Sequence, residues 1–206
     1  MKLNGFDSIA GIYDVLAKLV FGQSIEHAQT HFLPNVRNCT SILILGGGTG
    51  WLLRHIRQVN ATAHIVYVDA SSAMLHRARL QEINNIDFIH GTEENIPATA
   101  RFDLIITPFY LDLFADDKLT DVVNIIRKRM MPGAYWLATD FVNSSTWWGS
   151  LLEKVMYSFF RIICHIESTR LPAWEHIMRN SEFDMIDSAS FYRGFIKAVW
   201  YKSNAK

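Results

Sequence analysis

A chain of 206 residues, half of them hydrophobic and 19% charged, has enough apolar material for one sizeable core and rules out wholesale disorder. Its 20 basic and 20 acidic side chains cancel to a formal net charge of zero, which excludes the cationic surface that non-specific nucleic-acid binding needs. Two cysteines, Cys39 and Cys164, make no disulfide framework; no window reaches the roughly 18–20 apolar residues of a membrane span, and the opening residues lack a signal-peptide run. The expectation is a cytoplasmic protein with no membrane span and no nucleic-acid partner.

In residues 6–21, Phe6, Ile9, Ala10, Tyr13, Leu16, Ala17 and Val20 recur at three- and four-residue steps, so an amphipathic helix is predicted, with Asp7 or Ser8 at its start. A second helix is predicted over 24–33, with Ser24 as N-cap and Pro34 just past its end. Residues 1–38 would then form a helical cover. His27 and His31 are four apart, a spacing that can clamp a metal, but no pattern positions a third ligand and no metal site is expected.

The stretch Ile42-Leu43-Ile44-Leu45-Gly46-Gly47-Gly48-Thr49-Gly50-Trp51 is a buried strand ending abruptly in glycines, and helix-period apolar residues resume in Leu52-Leu53-Arg54-His55-Ile56. Such a turn lets a ligand lie against the main chain, and the first N–H groups of the following helix face it. A P-loop is excluded because no Gly-Lys-Ser/Thr triplet follows. A dinucleotide fingerprint would need glycine at the place of Trp51. The register that fits is Gly46, Gly48 and Gly50.

Residues 63–69 read as the second strand, ending on Asp69, 23 residues past Gly46. In nucleotide-binding α/β units an acid at that point takes the ribose hydroxyls; the competing reading is a cap for the helix predicted over 72–82. A third strand is expected over 86–90 and a fourth over 101–107. Open parallel sheets bind ligands at the carboxyl ends of their strands where strand order reverses, so 107–110, with Thr107, Phe109 and Tyr110, should line the reacting centre. Asp112 is open to three readings: a base, a substitute for a missing acid at Ile44, or a helix cap. A helix over 117–130 ends at Pro132-Gly133, and 134–141 is the fifth strand.

Residues 146–164 form a helix with apolar residues on most of its circumference, Trp147, Trp148, Leu151, Leu152, Val155, Met156, Phe159, Phe160 and Ile163 among them. It suits a core or a subunit contact in a homodimer, or a lid (145–168) over an apolar or aromatic substrate. A short helix over 172–181 and an antiparallel hairpin over 183–188 and 190–201 close the chain. The result is an α/β, Rossmann-like three-layer sandwich with a mostly parallel seven-stranded sheet, all in one domain spanning 1–206.

Gly46, Gly48 and Gly50, Asp69, the turn at Gly91, Phe102-Asp103 and Pro132-Gly133 come in an order that resembles the class I S-adenosylmethionine-dependent methyltransferases. Phe6-Asp7-Ser8-Ile9-Ala10-Gly11-Ile12-Tyr13-Asp14 is similar to the opening of the ubiquinone/menaquinone C-methyltransferase branch. The resemblance implies S-adenosylmethionine as cofactor, held by Gly46, Gly47, Gly48 and Gly50, by Asp69 and Ala70, and by Met74 packed on the adenine. It also implies Thr92 and Glu93 at the adenine edge, Thr107 at the end of the fourth strand, and Tyr13 closing over the site. Two departures stand out: the acid usual two residues before the first glycine is Ile44, and Thr92 replaces the carboxylate of the adenine turn.

The reaction this implies is transfer of a methyl group to an O, N or C atom of a small apolar or aromatic acceptor, with Phe109, Tyr110 and Trp147 on the acceptor side. Since the cofactor carries the activated methyl, the protein mainly positions and desolvates, and no catalytic base is assigned among His90, His165, Tyr110 and Asp112. The rival reading is a non-catalytic protein that binds S-adenosylmethionine or S-adenosylhomocysteine.

Overall fold

The computed structural model describes residues 20–142 and 171–204. The predicted helix over 6–21 with Tyr13, and the apolar helix with Trp147, lie outside these residues except for the last two positions of the first. Seven strands form one sheet: β1 (Ser41–Leu45), β2 (His64–Asp69), β3 (Ile86–His90), β4 (Phe102–Pro108), β5 (Met130–Phe141), β6 (Phe183–Phe191) and β7 (Ile196–Ser203), in the spatial order β3-β2-β1-β4-β5-β7-β6. The first five are mutually parallel, and β7 runs antiparallel between β5 and β6. Strand order reverses between β1 and β4, so the switch point at which such sheets bind ligands is where the sequence put it.

The burial pattern of β1 explains why its sequence is continuously apolar. Leu43 and Leu45 join one core with Val66, Val68, Ile105 and Trp136; Ile42 and Ile44 join the other with Ile65, Tyr67, Leu104 and Ile106. Both faces are covered, so both sets of alternate residues must be apolar. On the second face lie α2 (Trp51–Val59) and α3 (Ser72–Arg79), and on the first α4 (Asp116–Arg127) and α5 (Trp174–Arg179). The three-layer sandwich is therefore present as expected.

The far end of β1 is pinned by a carboxylate. Asp103 accepts from Thr40 N–H at 2.6 Å, from the Thr40 hydroxyl at 2.7 Å and from Ser41 N–H at 3.1 Å. This explains the Phe102-Asp103 pair as a clasp between the starts of β1 and β4, remote from the carboxyl ends.

Several boundaries differ from the sequence reading. The first described helix, α1 (Ser24–Thr30), has Gln23 rather than Ser24 at its N-cap, with no side-chain capping bond, and a 3₁₀ helix, Leu33–Asn38, follows with Pro34 in its first turn. His31 thus falls beyond α1 and packs edge-on against Phe32 and Phe191, ring centroids 4.6 and 5.5 Å away. Among the described residues no three His, Cys, Asp or Glu side chains gather as metal ligands. The fifth strand starts at Met130, before Pro132-Gly133, because Phe102 pairs with Met130 across an irregular register. Helix α5 starts two residues after Pro172. Among the described residues no helix is long and apolar enough to cross a membrane.

Candidate active site

The glycine register read from sequence has a conformational basis. Gly46, Gly48 and Gly50 have φ of 70°, 64° and 82°, a region that L side chains enter at a cost, while Gly47 does not. Gly47 is needed for space instead: a Cβ there would meet the Tyr67 ring at 2.4 Å. At Gly50 a Cβ would lie 2.8 Å from the Ala78 Cβ and 2.9 Å from its Cα, so this glycine lets α2 and α3 approach closely. A Cβ on Gly48 would meet nothing within 4 Å, so that part of the turn faces open space.

Asp69 ends β2 beside this turn. One carboxylate oxygen accepts from Gly48 N–H and the other from Ser71 N–H, both at 2.9 Å. The cap of α3 is Ser71, whose hydroxyl accepts from Met74 N–H at 3.1 Å, so the helix-cap reading of Asp69 gives way. A carboxylate has about four lone-pair sites, and two backbone donors do not by themselves exhaust it. Met74 is buried, and the Ala70 carbonyl lies 3.0 Å from His90 Nε2.

Tyr67, which sequence reasoning passed over as a strand residue, is a support under the turn. Its hydroxyl donates to the Gly48 carbonyl at 3.0 Å. Burial, followed by the nearby Asp69 charge, pushes its pKa well up, so it remains a donor. Alternation along β2 could have placed Tyr67 on the face of Ile65, but no local signal gives its hydroxyl a partner 19 residues away.

Thr92 and Glu93 begin the 3₁₀ turn after β3. Thr92 caps it: Glu94 N–H approaches its hydroxyl at 3.4 Å, and Asn95 Oδ1 accepts from Thr92 N–H at 2.9 Å. Glu93 is buried at 3% exposure and accepts from the Tyr110 hydroxyl at 2.5 Å. The ring of Tyr110 lies against Gly46, 2.7 Å from where a Cβ would stand. Tyr110 thus bridges the glycine turn and the turn after β3. Burial first, and then Glu93, hold its pKa well above the ordinary phenol value, which removes it as a general base.

At the end of β4, the Thr107 hydroxyl is buried and accepts from Trp136 Nε1 at 2.9 Å. Phe109 follows with φ 52°, a strained conformation for a bulky residue, fixed by its N–H donating to the Thr139 carbonyl at 2.7 Å. Its half-buried ring stacks obliquely on Phe141 at 4.6 Å, and Phe141 packs against Phe21 and Phe195, each at 5.3 Å. Tyr192 lies edge-on to Phe21 at 5.0 Å. An aromatic wall therefore stands beside the crevice, assembled from segments up to 174 positions apart. Ile44 is fully buried between Tyr67 and Ile106 in the strand register, so the usual acid has been traded for a core residue.

Residues 42–133 match the family described as a methyltransferase domain. The segment from β1 to the start of β5 thus carries the sequence of a methyltransferase domain. No curated protein matches the sequence. Among solved structures it is similar to the N-methyltransferase NodS of Bradyrhizobium japonicum in complex with S-adenosylhomocysteine, at TM-score 0.72 and 12% identity, over 98% of this chain and 100% of that one. It is also similar to the 1,6-didemethyltoxoflavin N1-methyltransferase of Burkholderia thailandensis, at TM-score 0.71 and 13% identity, over 98% and 87%. A third likeness is to a complex of the Haloferax volcanii Trm112 methyltransferase activator with a methyltransferase, at TM-score 0.73 and 16% identity, over 98% and 99%. At these identities the likeness concerns the fold.

Proposed function

We propose that this methyltransferase moves the methyl group of S-adenosylmethionine to an O, N or C atom of a small apolar or aromatic molecule. The cofactor would lie across the carboxyl ends of β1 and β2. Gly46, Gly47, Gly48 and Gly50 would give it the main chain, and Asp69, next to Ala70, would receive the ribose hydroxyls. Met74, Thr92 and Glu93 would border the adenine, Thr107 would stand at the methyl end, and Tyr13 would close from the N-terminal cover. The carrying observation is the open ground at Gly48 with the Asp69 carboxylate turned to its N–H.

The bound cofactor supplies a methyl on a sulfonium, ready for in-line displacement. The chain's own contribution is positional. Main-chain N–H groups and Asp69 fix the nucleoside, while Phe109, backed by the buried ring of Phe141, offers a ring face to an acceptor and excludes water. No described group stands out as the base, and a phenolate or amine acceptor needs none beyond solvent. Trp147 and the apolar helix of 145–168 belong to this proposal as the other acceptor wall and lid.

Calorimetry with S-adenosylhomocysteine and, separately, with NAD tests the cofactor half. Binding of the first and not the second is expected. Binding of NAD alone, or of neither at millimolar concentration, would sink the reading. For the acceptor half, turnover with a panel of phenols and nitrogen heteroaromatics should exceed turnover with polar amino acids, and the reverse order would overturn it.

A further inference from the structure

Two carboxyl groups lie together near the carboxyl end of the sheet with almost no access to water. Asp112 sits in the 3₁₀ turn Leu111–Leu113 after β4, and Asp140 is next to last in β5; they are 8% and 0% exposed. Asp140 is fixed by the main chain, one oxygen accepting from Leu111 N–H at 2.8 Å and the other from Phe141 N–H at 3.0 Å. Asp112 follows Leu111 directly in the turn, which brings its buried carboxyl beside that of Asp140. Ionised carboxylates are acceptors only, so two of them side by side and out of water repel unless one takes up a proton. Burial raises both pKa values, Asp112 to about 6, and repulsion from Asp112 adds to the rise at Asp140. The pair titrates as one unit, with proton uptake favoured above the ordinary carboxylate range.

The turn secured in this way reaches both halves of the crevice. Tyr110 lies on Gly46 and is bonded to Glu93, and Phe109 lies on Phe141. We propose that Asp140, buried beside Asp112 and bonded to Leu111 N–H, is a positioning residue for methyl transfer, fixing the turn that sets the aromatic wall relative to the glycine turn. The inference rests on the proposed cofactor site. The charged groups on the surrounding described elements are otherwise committed. Lys197, opposite Asp140 in the β5–β7 register, is ion-paired with Glu175 of α5 at 2.5 Å. Asp116 at the head of α4 accepts from Ala173 N–H at 2.9 Å, and Glu93 takes the Tyr110 hydroxyl. Ionisation of both carboxyls therefore sets two negative charges side by side in the core, and their repulsion pushes the turn off β5.

Calorimetry of S-adenosylhomocysteine binding from about pH 6 to about pH 9, on the full chain, tests this. The wild type should lose about tenfold in affinity toward the alkaline end. Asp112→Asn, whose amide can donate to or accept from Asp140 without titrating, should give a flatter profile; the ligand's own amine titrates equally in both proteins. Asp140→Asn leaves one of two backbone donors facing an amide nitrogen and should bind about tenfold more weakly across the range. Superimposed profiles for the wild type and Asp112→Asn overturn the proposal, and so does an Asp140→Asn variant that is folded by circular dichroism and binds as the wild type does. Should Asp140→Asn fail to fold, the comparison of wild type with Asp112→Asn decides alone. Absence of binding by the wild type at every pH is a different failure, that of the cofactor reading, and this proposal falls with it.

Discussion

The two halves of the crevice are built from different materials. The half at the ends of β1 and β2 is made of main chain: three glycines with positive φ, N–H groups, and one carboxylate turned to them. The half at the ends of β4, β5 and β7 is made of side chains, with rings of Phe21, Phe109, Phe141, Tyr192 and Phe195 packed on one another. A backbone site tolerates little variation, because its geometry depends on residues with no alternative. A side-chain site can be refilled with other shapes of similar volume. On the function proposed above, the first half would take the cofactor and the second the acceptor.

That contrast can be broken by mutation. The largest effect is expected at Gly50→Ala, where the new Cβ meets the backbone of Ala78 and the φ of 82° is strained; it should cost about 3 kcal/mol in urea unfolding. A loss under 1 kcal/mol would mean that the helices can part without penalty. Next, Asp69→Ala should weaken S-adenosylhomocysteine binding by roughly 1.5–3 kcal/mol by calorimetry, the scale of hydrogen bonds to a charged group. An unchanged dissociation constant would remove Asp69 from the site. Tyr67→Phe deletes the bond to the Gly48 carbonyl and should cost about 1 kcal/mol of stability. Phe109→Gly relieves the strained φ while removing a ring from the wall. It should leave S-adenosylhomocysteine affinity within about 0.5 kcal/mol and depress turnover of aromatic acceptors. Equal losses of both would show that the two halves are not separable.

The carboxyl pair adds a pH test with a definite sign. Both folded-state pKa values lie above the ordinary 3.8, so the stability the pair contributes is complete below that value and is lost as the pH rises through about 6 and beyond. The melting temperature of the wild type should therefore fall over that window more than that of Asp112→Asn. Parallel curves would mean that other groups dominate.

The difference between the halves also explains what could be read in the sequence. Strands β1, β2 and β3, the glycine register and the closing hairpin were legible because they rest on local period and on the conformations glycine alone adopts freely. Tyr67 under the turn, Tyr110 bonded to Glu93, and Asp140 holding Leu111 were not, since each partner comes from a segment 17 to 29 positions away. Ser24 failed as a cap because Gln23 takes that place without a side-chain bond, so the local preference decided nothing. In the sequence Asp112 stays open to three readings, a helix cap foremost; the cap of α4 is Ala115, and the carboxyl beside Asp112 at the end of β5 carries no mark there.

The obstacles at Gly47 and Gly50 differ in kind, and this bears on how the turn can evolve. At Gly47 the obstacle is the ring of Tyr67, a side chain, and the backbone itself is ordinary. A smaller residue at 67 would open a path for substitution at 47, so these two positions can drift as a pair. At Gly50 the obstacle is partly the Cα of Ala78, which no replacement at 78 removes. Position 50 therefore has no single-residue suppressor at its neighbour, and divergent descendants of this chain should have exchanged residues at 47 and 67 together while keeping glycine at 50.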